Sequence, residues 1–290
     1  MPFFILLFLV AALAAQLSAA DSPAVTLQME GATVRAIDVI SGQERWRFES
    51  DAALFEPVLS EGQAFLTGRS GVLQVLRASD VIPRWTLTTD DDWLYPPLPI
   101  GDRVIVVGRH SGLRALARAD GTELWRLTLA QEPTYSPIAL TSRHILVTLF
   151  NGTLLALNAE NGRQIWRAQF PNPALNISVD GGRILFGSYG NRLRAVSTKD
   201  GRLLWSQPLP GRVALPPVVA GGTAIVVTDE HVIVLADATT GAIHQRLRSP
   251  GETTAILQVN SNSIDVLIRN GNKGEPRPVS IAAHKAIPIR

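Results

Sequence analysis

Three adjacent carboxylates beside aromatic residues are the part of this sequence best suited to chemistry. Asp90, Asp91 and Asp92 directly precede Trp93, and Tyr95 follows. Carboxylate oxygens are ligands that Ca²⁺ prefers, so a calcium site is one interpretation, although no glycine-anchored loop spacing accompanies them. Aromatic residues with neighbouring charge are typical of interaction hot spots, which favours a protein-binding loop. A third interpretation, in which Trp93 packs beneath its own loop, stays open.

The rest of the chain shows no catalytic pattern. The five His residues have no metal-ligand spacing, and there is no Gly-x-Ser-x-Gly element, phosphate-binding loop or paired-carboxylate signature. The chain has no Cys, which excludes disulfides, Cys-ligated zinc or iron–sulfur sites and covalent c-type haem. We therefore predict no catalytic, cofactor-binding or metal-binding residues.

An internal repeat organises the chain after residue 30. Five Trp residues follow one another at intervals of 39, 40, 41 and 39 residues. Four of them have Gly four positions earlier and Ala six positions before that Gly. A degenerate sixth copy has Gly241, and a seventh would centre near Lys285. The repeat residues are Ala36, Gly42, Trp46, Trp85, Ala115, Gly121, Trp125, Ala156, Gly162, Trp166, Ala195, Gly201, Trp205 and Gly241.

Each period contains four short runs rich in Val, Ile, Leu and Thr, separated by turn residues. Four antiparallel strands in about 40 residues are typical of a propeller blade. We therefore predict an all-β propeller of about seven four-stranded blades, with six or eight as alternatives. We expect the Gly to form the turn before the fourth strand. The Trp would begin that strand and dock on a neighbouring blade, where Ala leaves room.

In such a blade, the inter-blade loops and the hairpin between the second and third strands open on one face. Arg69, Arg109 and Tyr189 occupy corresponding hairpins and are predicted to surround the central funnel, although polar hairpin tips alone would also explain them. The predicted partner-binding residues are Arg69, Asp91, Trp93, Tyr95, Arg109 and Tyr189.

The amino-terminal segment predicts export. Residues 1–20 contain no Asp, Glu, Lys or Arg and end in Ser18, Ala19 and Ala20, which matches a signal peptide cleaved after Ala20. An uncleaved membrane anchor is the alternative. Residues 21–290 are predicted to form a single domain with no transmembrane segment. Without Cys, the chain is not expected to be a lipoprotein.

The pattern A-x-D-x-x-x-G-x-x-x-W, complete from Ala36 to Trp46, resembles the tryptophan-docking repeat of the pyrroloquinoline-quinone (PQQ) propeller superfamily. One branch of that superfamily holds PQQ and calcium. The other consists of non-catalytic exported propellers of the BamB type, and this chain resembles that branch. The resemblance implies a binding protein without PQQ.

The net charge of +2 in 290 residues gives no nucleic-acid footprint. The export segment and the resemblance to the BamB-type branch imply a periplasmic or otherwise exported scaffold, monomeric within a complex, that binds a protein partner in envelope assembly. A reduced quinoprotein that binds PQQ or acts as an oxidoreductase is the first alternative. An extracytoplasmic sensor or glycan-binding module is the second.

Overall fold

The computed structural model describes residues 25–260, 263–269 and 275–283. These residues form strands joined by turns and loops, and none of them belongs to a helix long and apolar enough to cross a membrane. In chain order the strands are β1 (Val25–Glu30), β2 (Thr33–Asp38), β3 (Glu44–Glu49), β4 (Val58–Ser60), β5 (Gln63–Thr67), β6 (Val72–Arg77), β7 (Pro83–Thr88), β8 (Leu98–Ile100), β9 (Arg103–Gly108), β10 (Gly112–Ala117), β11 (Glu123–Leu127), β12 (Ile138–Ala139), β13 (His144–Thr148), β14 (Thr153–Asn158), β15 (Gln164–Gln169), β16 (Leu175–Asp180), β17 (Arg183–Ser188), β18 (Arg192–Ser197), β19 (Leu203–Pro208), β20 (Val218–Ala220), β21 (Thr223–Val227), β22 (Val232–Asp237), β23 (Ile243–Arg248), β24 (Glu252–Val259), β25 (Ser263–Arg269) and β26 (Arg277–Ala282).

The strands form seven antiparallel sheets, each built from consecutive strands. Sheets two to six have four strands each: β4–β7, β8–β11, β12–β15, β16–β19 and β20–β23. Within the described residues, the first sheet (β1–β3) and the seventh (β24–β26) have three strands. The predicted all-β architecture of about seven blades is confirmed. The predicted seventh repeat centre near Lys285 lies outside the described residues, as does the predicted signal peptide at residues 1–20.

Burial differs systematically across each blade. The second and third strands are buried along almost their whole length because both of their faces are covered, as in β9 and β10. The fourth strand is mostly exposed and buries its Trp, as in β15. Six apolar clusters, each shared by two consecutive sheets, fill the junctions from the first sheet to the seventh.

The repeat Gly forms the turn before the strand that carries the Trp, as predicted; this strand is β3 in the first sheet and the fourth strand in the four-stranded sheets. Gly42, Gly121, Gly162, Gly201 and Gly241 have φ values between 68° and 78°, a left-handed conformation that Gly adopts without steric cost. The amide of Gly162 donates to the Asn158 carbonyl at 2.9 Å, and the other four turns have the same bond. In the second sheet Val81 takes the place of Gly with φ 60°, which strains a β-branched residue.

Each repeat Trp docks on the next sheet in the chain. Its indole Nε1 donates to a backbone carbonyl 32 to 34 residues later, at 2.7 to 3.2 Å in all five cases. At four junctions the ring also lies against the next blade's repeat Gly. A Cβ added at Gly201, for example, would lie 2.6 Å from the Trp166 ring.

The role predicted for the repeat Ala needs correction. Ala36, Ala115, Ala156 and Ala195 do not form the space in the neighbouring blade. Each pairs directly across its own sheet with the Trp of the same blade. At four junctions the space in the next blade comes from Gly, because its Cα has no side chain to meet the indole.

The Trp166→Ala substitution tests the dock directly. Trp166 is 8% exposed, and its loss removes both the ring contact and the bond to the Thr198 carbonyl. We expect a loss of about 3–5 kcal/mol in the free energy of unfolding, measured by urea denaturation. The matched control is Ile165→Ala, because Ile165 precedes Trp166 and is exposed. Equal effects of the two substitutions would contradict the docking role.

Candidate functional site

One end of the sheets carries both the inter-sheet loops and the hairpins between second and third strands, and we call this end the loop face. Backbone hydrogen bonds fix the loops to the hairpins. Arg109 N donates to Trp93 O at 3.0 Å, and Phe150 N donates to Glu132 O at 3.0 Å. Each of these loops joins two sheets and is also hydrogen-bonded to a hairpin. The loop face is therefore a rigid support for side chains.

Four aromatic side chains from three successive inter-sheet loops meet on the loop face, and we call them the aromatic cluster: Phe55, Trp93, Tyr95 and Tyr135. The Phe55 ring centroid lies 5.2 Å from Trp93 and 6.0 Å from Tyr95, with the latter pair stacked at 12°. Tyr135 completes the row edge-on to Tyr95 at 5.7 Å. Such ring pairs contribute beyond the area they bury.

Exposure differs among the four rings of the aromatic cluster, since Phe55 and Trp93 are half-buried. Tyr95 is 8% exposed, and Tyr135 is 55% exposed. Burial raises the pKa of both phenols, so at neutral pH each hydroxyl is uncharged and able to donate a hydrogen bond. The cluster therefore presents one accessible phenol on a packed apolar base.

The predicted residues Trp93 and Tyr95 thus lie together, whereas Phe55 and Tyr135 were missed as site residues. A signal for them exists in the sequence, because Phe55, Tyr95 and Tyr135 follow one another at intervals of 40 residues. That interval places one aromatic side chain at the same point of three consecutive inter-sheet loops. A search for aromatic periodicity outside the Trp repeat would have found the row.

Two predicted arginines lie against the same surface. The Arg69 guanidinium carbon lies 4.3 Å above the Trp93 ring, a cation–π contact. Arg109 Nε donates to Glu132 Oε2 at 3.2 Å, and this bond raises the pKa of Arg109. Both members of the Arg109–Glu132 pair are more than 40% exposed, so the pair offers one charge of each sign beside the aromatic cluster.

Asp91 is buried, whereas a residue that contacts a partner is expected to be exposed. It is 6% exposed, and Oδ2 accepts the amides of His110 at 2.9 Å and Ser111 at 2.7 Å. Oδ1 accepts the amide of Trp93 at 3.1 Å. Asp91 therefore ties the Trp93 loop to the adjoining hairpin, and its predicted contact with a partner stays a prediction.

The carboxylate of Asp91 is held ionised by these bonds. Burial by itself would raise the pKa of Asp91, but the amides of Ser111 and His110 outweigh it and lower the pKa below the ordinary value. The folded protein therefore binds the Asp91 proton less tightly than the unfolded chain does. That difference stabilises the fold above the ordinary carboxyl pKa, and the stabilisation is lost as the pH falls through the folded-state value.

The other two acids of the Asp90–Asp92 run face different partners. Asp90 Oδ1 lies 4.0 Å from Arg114 Nη2, and Asp92 Oδ1 lies 3.8 Å from His110 Nε2. With Asp91 occupied by backbone amides, the three carboxylates do not converge. Within the part of the chain that the structure describes, no group of three or more His, Asp and Glu side chains is placed to hold a metal ion.

Tyr189 is separate from this group. It is 44% exposed and lines a cavity of about 240 Å³ together with Asn176, Arg212 and Asp229. Arg212 Nε donates to Asp229 Oδ2 at 2.9 Å at that cavity. The structure thus brings together Arg69, Trp93, Tyr95 and Arg109 through shared neighbours and gives Tyr189 other partners.

The role of Asp91 predicts a pH-dependent effect of Asp91→Asn. The amide nitrogen cannot accept a hydrogen bond, so at neutral pH we expect the variant to lose about 1–3 kcal/mol of stability. The difference should shrink as the pH falls below about 3.9, because the wild-type carboxyl then becomes protonated as well. Denaturant unfolding across a pH series measures this.

The matched control is Asp92→Asn, which changes the next residue of the same loop. The Asp92 side chain is 71% exposed, and we expect a change within about 0.5 kcal/mol at every pH. If the difference in unfolding free energy between the wild type and Asp91→Asn stayed constant down to acid pH, the carboxylate charge would have no part in holding the loop.

Comparisons with known proteins agree with this architecture. The family model described as outer membrane protein assembly factor BamB matches residues 30–176, 109–207 and 150–275. The BamB of Yersinia pestis is 28% identical over 214 residues, which cover 68% of this chain and 54% of that protein. The BamB of Nitrosomonas eutropha is 31% identical over 112 residues, 38% of this chain and 26% of that protein. The aligned regions thus span about half or less of these relatives.

Solved structures show the same fold. The crystal structure of BamB from Moraxella catarrhalis superposes with a TM-score of 0.70 at 18% identity, covering 90% of this chain and 88% of that one. The computationally designed Ika8 protein gives a TM-score of 0.72 at 13% identity, covering 91% of this chain and 83% of that one. The family model spans more than half of the sequence. The chain therefore belongs to the PQQ-like repeat β-propeller family described as outer membrane protein assembly factor BamB.

Proposed function

We propose that this protein is an exported, non-catalytic scaffold that binds a protein partner with its loop face during outer-membrane protein assembly. The observation that carries the proposal is the aromatic cluster, with Tyr135 exposed beside the Arg109–Glu132 ion pair. The names of the relatives in Yersinia pestis and Nitrosomonas eutropha support an assembly role.

The chemistry of this surface suits a protein ligand. Aromatic residues and Arg are enriched at the few positions that carry most of the binding energy in protein interfaces. Phe55, Trp93 and Tyr95 hold one another in place, so a partner that packs on Tyr135 meets a surface already ordered. Preorganisation reduces the entropy lost on binding. The exposed charges of Arg109 and Glu132 then orient the partner.

The first test is Tyr135→Ala. Tyr135 packs at the exposed end of the aromatic cluster, so its truncation removes contact area while the other three rings keep their packing. We expect at least a tenfold loss of affinity for the captured partner, about the effect of a hot-spot truncation, with a small change in melting temperature. Affinity capture from the native membrane fraction identifies the partner, and biolayer interferometry then measures binding.

The control for this experiment is Ile40→Ala. Ile40 is 93% exposed in the turn between β2 and β3 of the first sheet, at the end opposite the loop face. Its truncation should leave binding unchanged. If Ile40→Ala weakened capture and Tyr135→Ala did not, the partner would bind the opposite face and the proposal would be wrong.

The second test reverses one charge. Arg109→Glu places a second carboxylate next to Glu132 where the wild type has an ion pair. We expect slower association with the partner at low salt, because rim charges act mainly on the encounter step. The difference from the wild type should shrink as the salt concentration rises, because salt screens exposed charges. The melting temperature should change little, since exposed ion pairs contribute about 0–1 kcal/mol. Stopped-flow association at several salt concentrations measures the effect.

The other functional classes make contrary predictions. A quinoprotein would show a saturable thermal shift with stoichiometric PQQ and Ca²⁺, and a glycan-binding module would give reproducible hits on a glycan array. Either response, if reduced by Tyr135→Ala and accompanied by no protein capture, would replace the scaffold proposal.

A further inference from the structure

Among the residues that the structure describes, three arginines are buried, and one of these has no carboxylate partner there. Arg114, Arg118 and Arg194 are 7%, 8% and 7% exposed. Arg118 lies 3.1 Å from Glu61, and Arg114 lies 3.6 Å from Glu123. Arg194 donates from Nη1 to Ser188 Oγ, and no Asp or Glu oxygen of the described residues lies within 4.0 Å of its guanidinium.

The internal repeat shows which partner Arg194 lacks. In the first and third sheets, an Arg directly before the repeat Ala faces a Glu that begins the next strand, β3 or β11. Arg35 Nε lies 3.7 Å from Glu44, and Arg114 Nη1 lies 3.6 Å from Glu123. Both Glu residues pair with the residue that follows the Ala. In the fifth sheet, Leu203 occupies that register position and is 50% exposed.

Arg114 has a second carboxylate neighbour that Arg194 also lacks among the described residues. Arg114 also lies 4.0 Å from Asp90, in the loop that follows the second sheet. The backbone amide of Thr89 donates to the Gly71 carbonyl at 2.9 Å, and that of Phe170 donates to the Gly152 carbonyl at 2.9 Å. These equivalent bonds show that Thr89 and Phe170 occupy corresponding positions in their loops. The counterpart of Asp90 beside Arg194 is therefore Pro171. Leu203 and Pro171 thus replace both acids that serve Arg114.

Arg192 adds a second cation on the same side of β18. Residues two apart in a strand share a face, so Arg192 and Arg194 form what we call the arginine pair. Arg192 Nε donates to Ser206 Oγ at 2.9 Å. Ser188 and Ser206 accept hydrogen bonds from the arginine pair, so each hydroxyl can still donate its own hydrogen. Two guanidinium groups and two hydroxyl donors therefore lie together between the fourth and fifth sheets.

The surroundings of Arg194 offer little compensation for its charge. Its guanidinium carbon lies 6.0 Å from the Phe170 ring centroid, and Phe170 packs edge-on against Phe186 at 5.4 Å. Burial lowers the pKa of Arg194, and repulsion from Arg192 lowers it further. A buried cation without a counter-charge is costly, so an anion that enters here gains charge-assisted hydrogen bonds to preformed donors.

We propose that the arginine pair, with Ser188 and Ser206, is a binding site for a phosphate-type dianion between the fourth and fifth sheets. The two carboxylates present beside Arg114 and absent here carry two negative charges, and one dianion replaces both. Arg192 and Ser206 are half-buried, so the site is reached from their side. The phosphate belongs either to a free ion or to the phosphomonoester headgroup of a lipid.

The test is binding of inorganic phosphate by isothermal titration calorimetry, with melting temperatures in phosphate and chloride at equal ionic strength. We expect a single saturable site and a higher melting temperature in phosphate, because a ligand of the folded state stabilises it. Sulfate, a dianion of the same shape, should act similarly. Equal stabilisation by acetate would overturn the assignment to a dianion, and the absence of saturable binding would overturn the site itself.

The discriminating variant is Leu203→Glu, which restores the acid found beside Arg35 and Arg114. The new carboxylate would neutralise Arg194 and compete with the ligand. We expect phosphate affinity to fall at least about tenfold, the effect of losing one charge-assisted hydrogen bond. The matched control is Leu124→Glu, an equally exposed Leu on the fourth strand of the third sheet, which should keep wild-type binding. Equal loss in both variants would show a general charge effect and overturn the site.

A second variant covers the case in which Leu203→Glu disturbs folding. Arg194→Met removes the buried charge and keeps a long apolar side chain near Phe170. We expect its melting temperature in chloride to equal or exceed that of the wild type, and its response to phosphate to disappear. A response to phosphate that persisted in Arg194→Met would overturn the proposal.

Vesicles distinguish the two sources of phosphate. The protein is sedimented with phosphatidylcholine vesicles that contain or lack phosphatidate. Binding that requires phosphatidate and is lost in Leu203→Glu, but kept in Leu124→Glu, identifies a lipid headgroup. Calorimetric binding of inorganic phosphate without vesicle binding identifies the free ion.

Discussion

The contact between a Trp and the next blade is the interaction on which the rest of this structure depends. It combines a hydrogen bond from the indole to a backbone carbonyl with close packing of the ring against a Gly that has no side chain. Both halves involve backbone atoms, so the intervening strands can vary in sequence while the spacing between blades stays constant. The aromatic cluster depends on this regularity, because its rings come from separate loops and meet only if successive blades keep the same separation and tilt.

The loop face and the blade interiors obey different constraints. Inside, the second and third strands are buried on both faces and tolerate few polar residues. On the loop face, Asp91 uses three backbone amides to hold a loop whose other side chains are then free to serve a partner. The arginine pair shares features of both regions, because it is polar like the loop face and yet lies among buried side chains between two sheets. Arg194 is buried and Arg192 is half-buried. Their surroundings differ from those of Arg114 in the third sheet, because Leu203 and Pro171 stand where that sheet has Glu123 and Asp90.

Much of the fold could be predicted from the sequence because the repeat Trp residues from Trp46 to Trp205 recur at nearly constant spacing. The position of each strand also follows mainly from the residue types within it. The residue that the repeat Ala contacts could not be predicted, because that contact depends on the register between neighbouring strands. In the site, Trp93, Tyr95, Arg69 and Arg109 could be placed on one face by topology alone. The burial of Asp91 could not be foreseen, because it requires the hairpin at His110 and Ser111 to fold back over a loop nearly twenty residues earlier. The isolation of Arg194 likewise depends on residues from two other segments.

The placement of the Trp residues has a spectroscopic consequence. The junctions from the first sheet to the sixth each contain one repeat Trp, namely Trp46, Trp85, Trp125, Trp166 and Trp205 in turn, whereas the next repeat position is Gln245. Each repeat Trp therefore reports the opening of one interface. The sixth indole, that of Trp93, packs at the same junction as Trp125 and would have to be replaced in any chain that keeps a single repeat Trp. A set of single-indole chains would resolve whether the blades separate together or one after another, with the interface that follows the sixth sheet as the only one of these six without an intrinsic emitter.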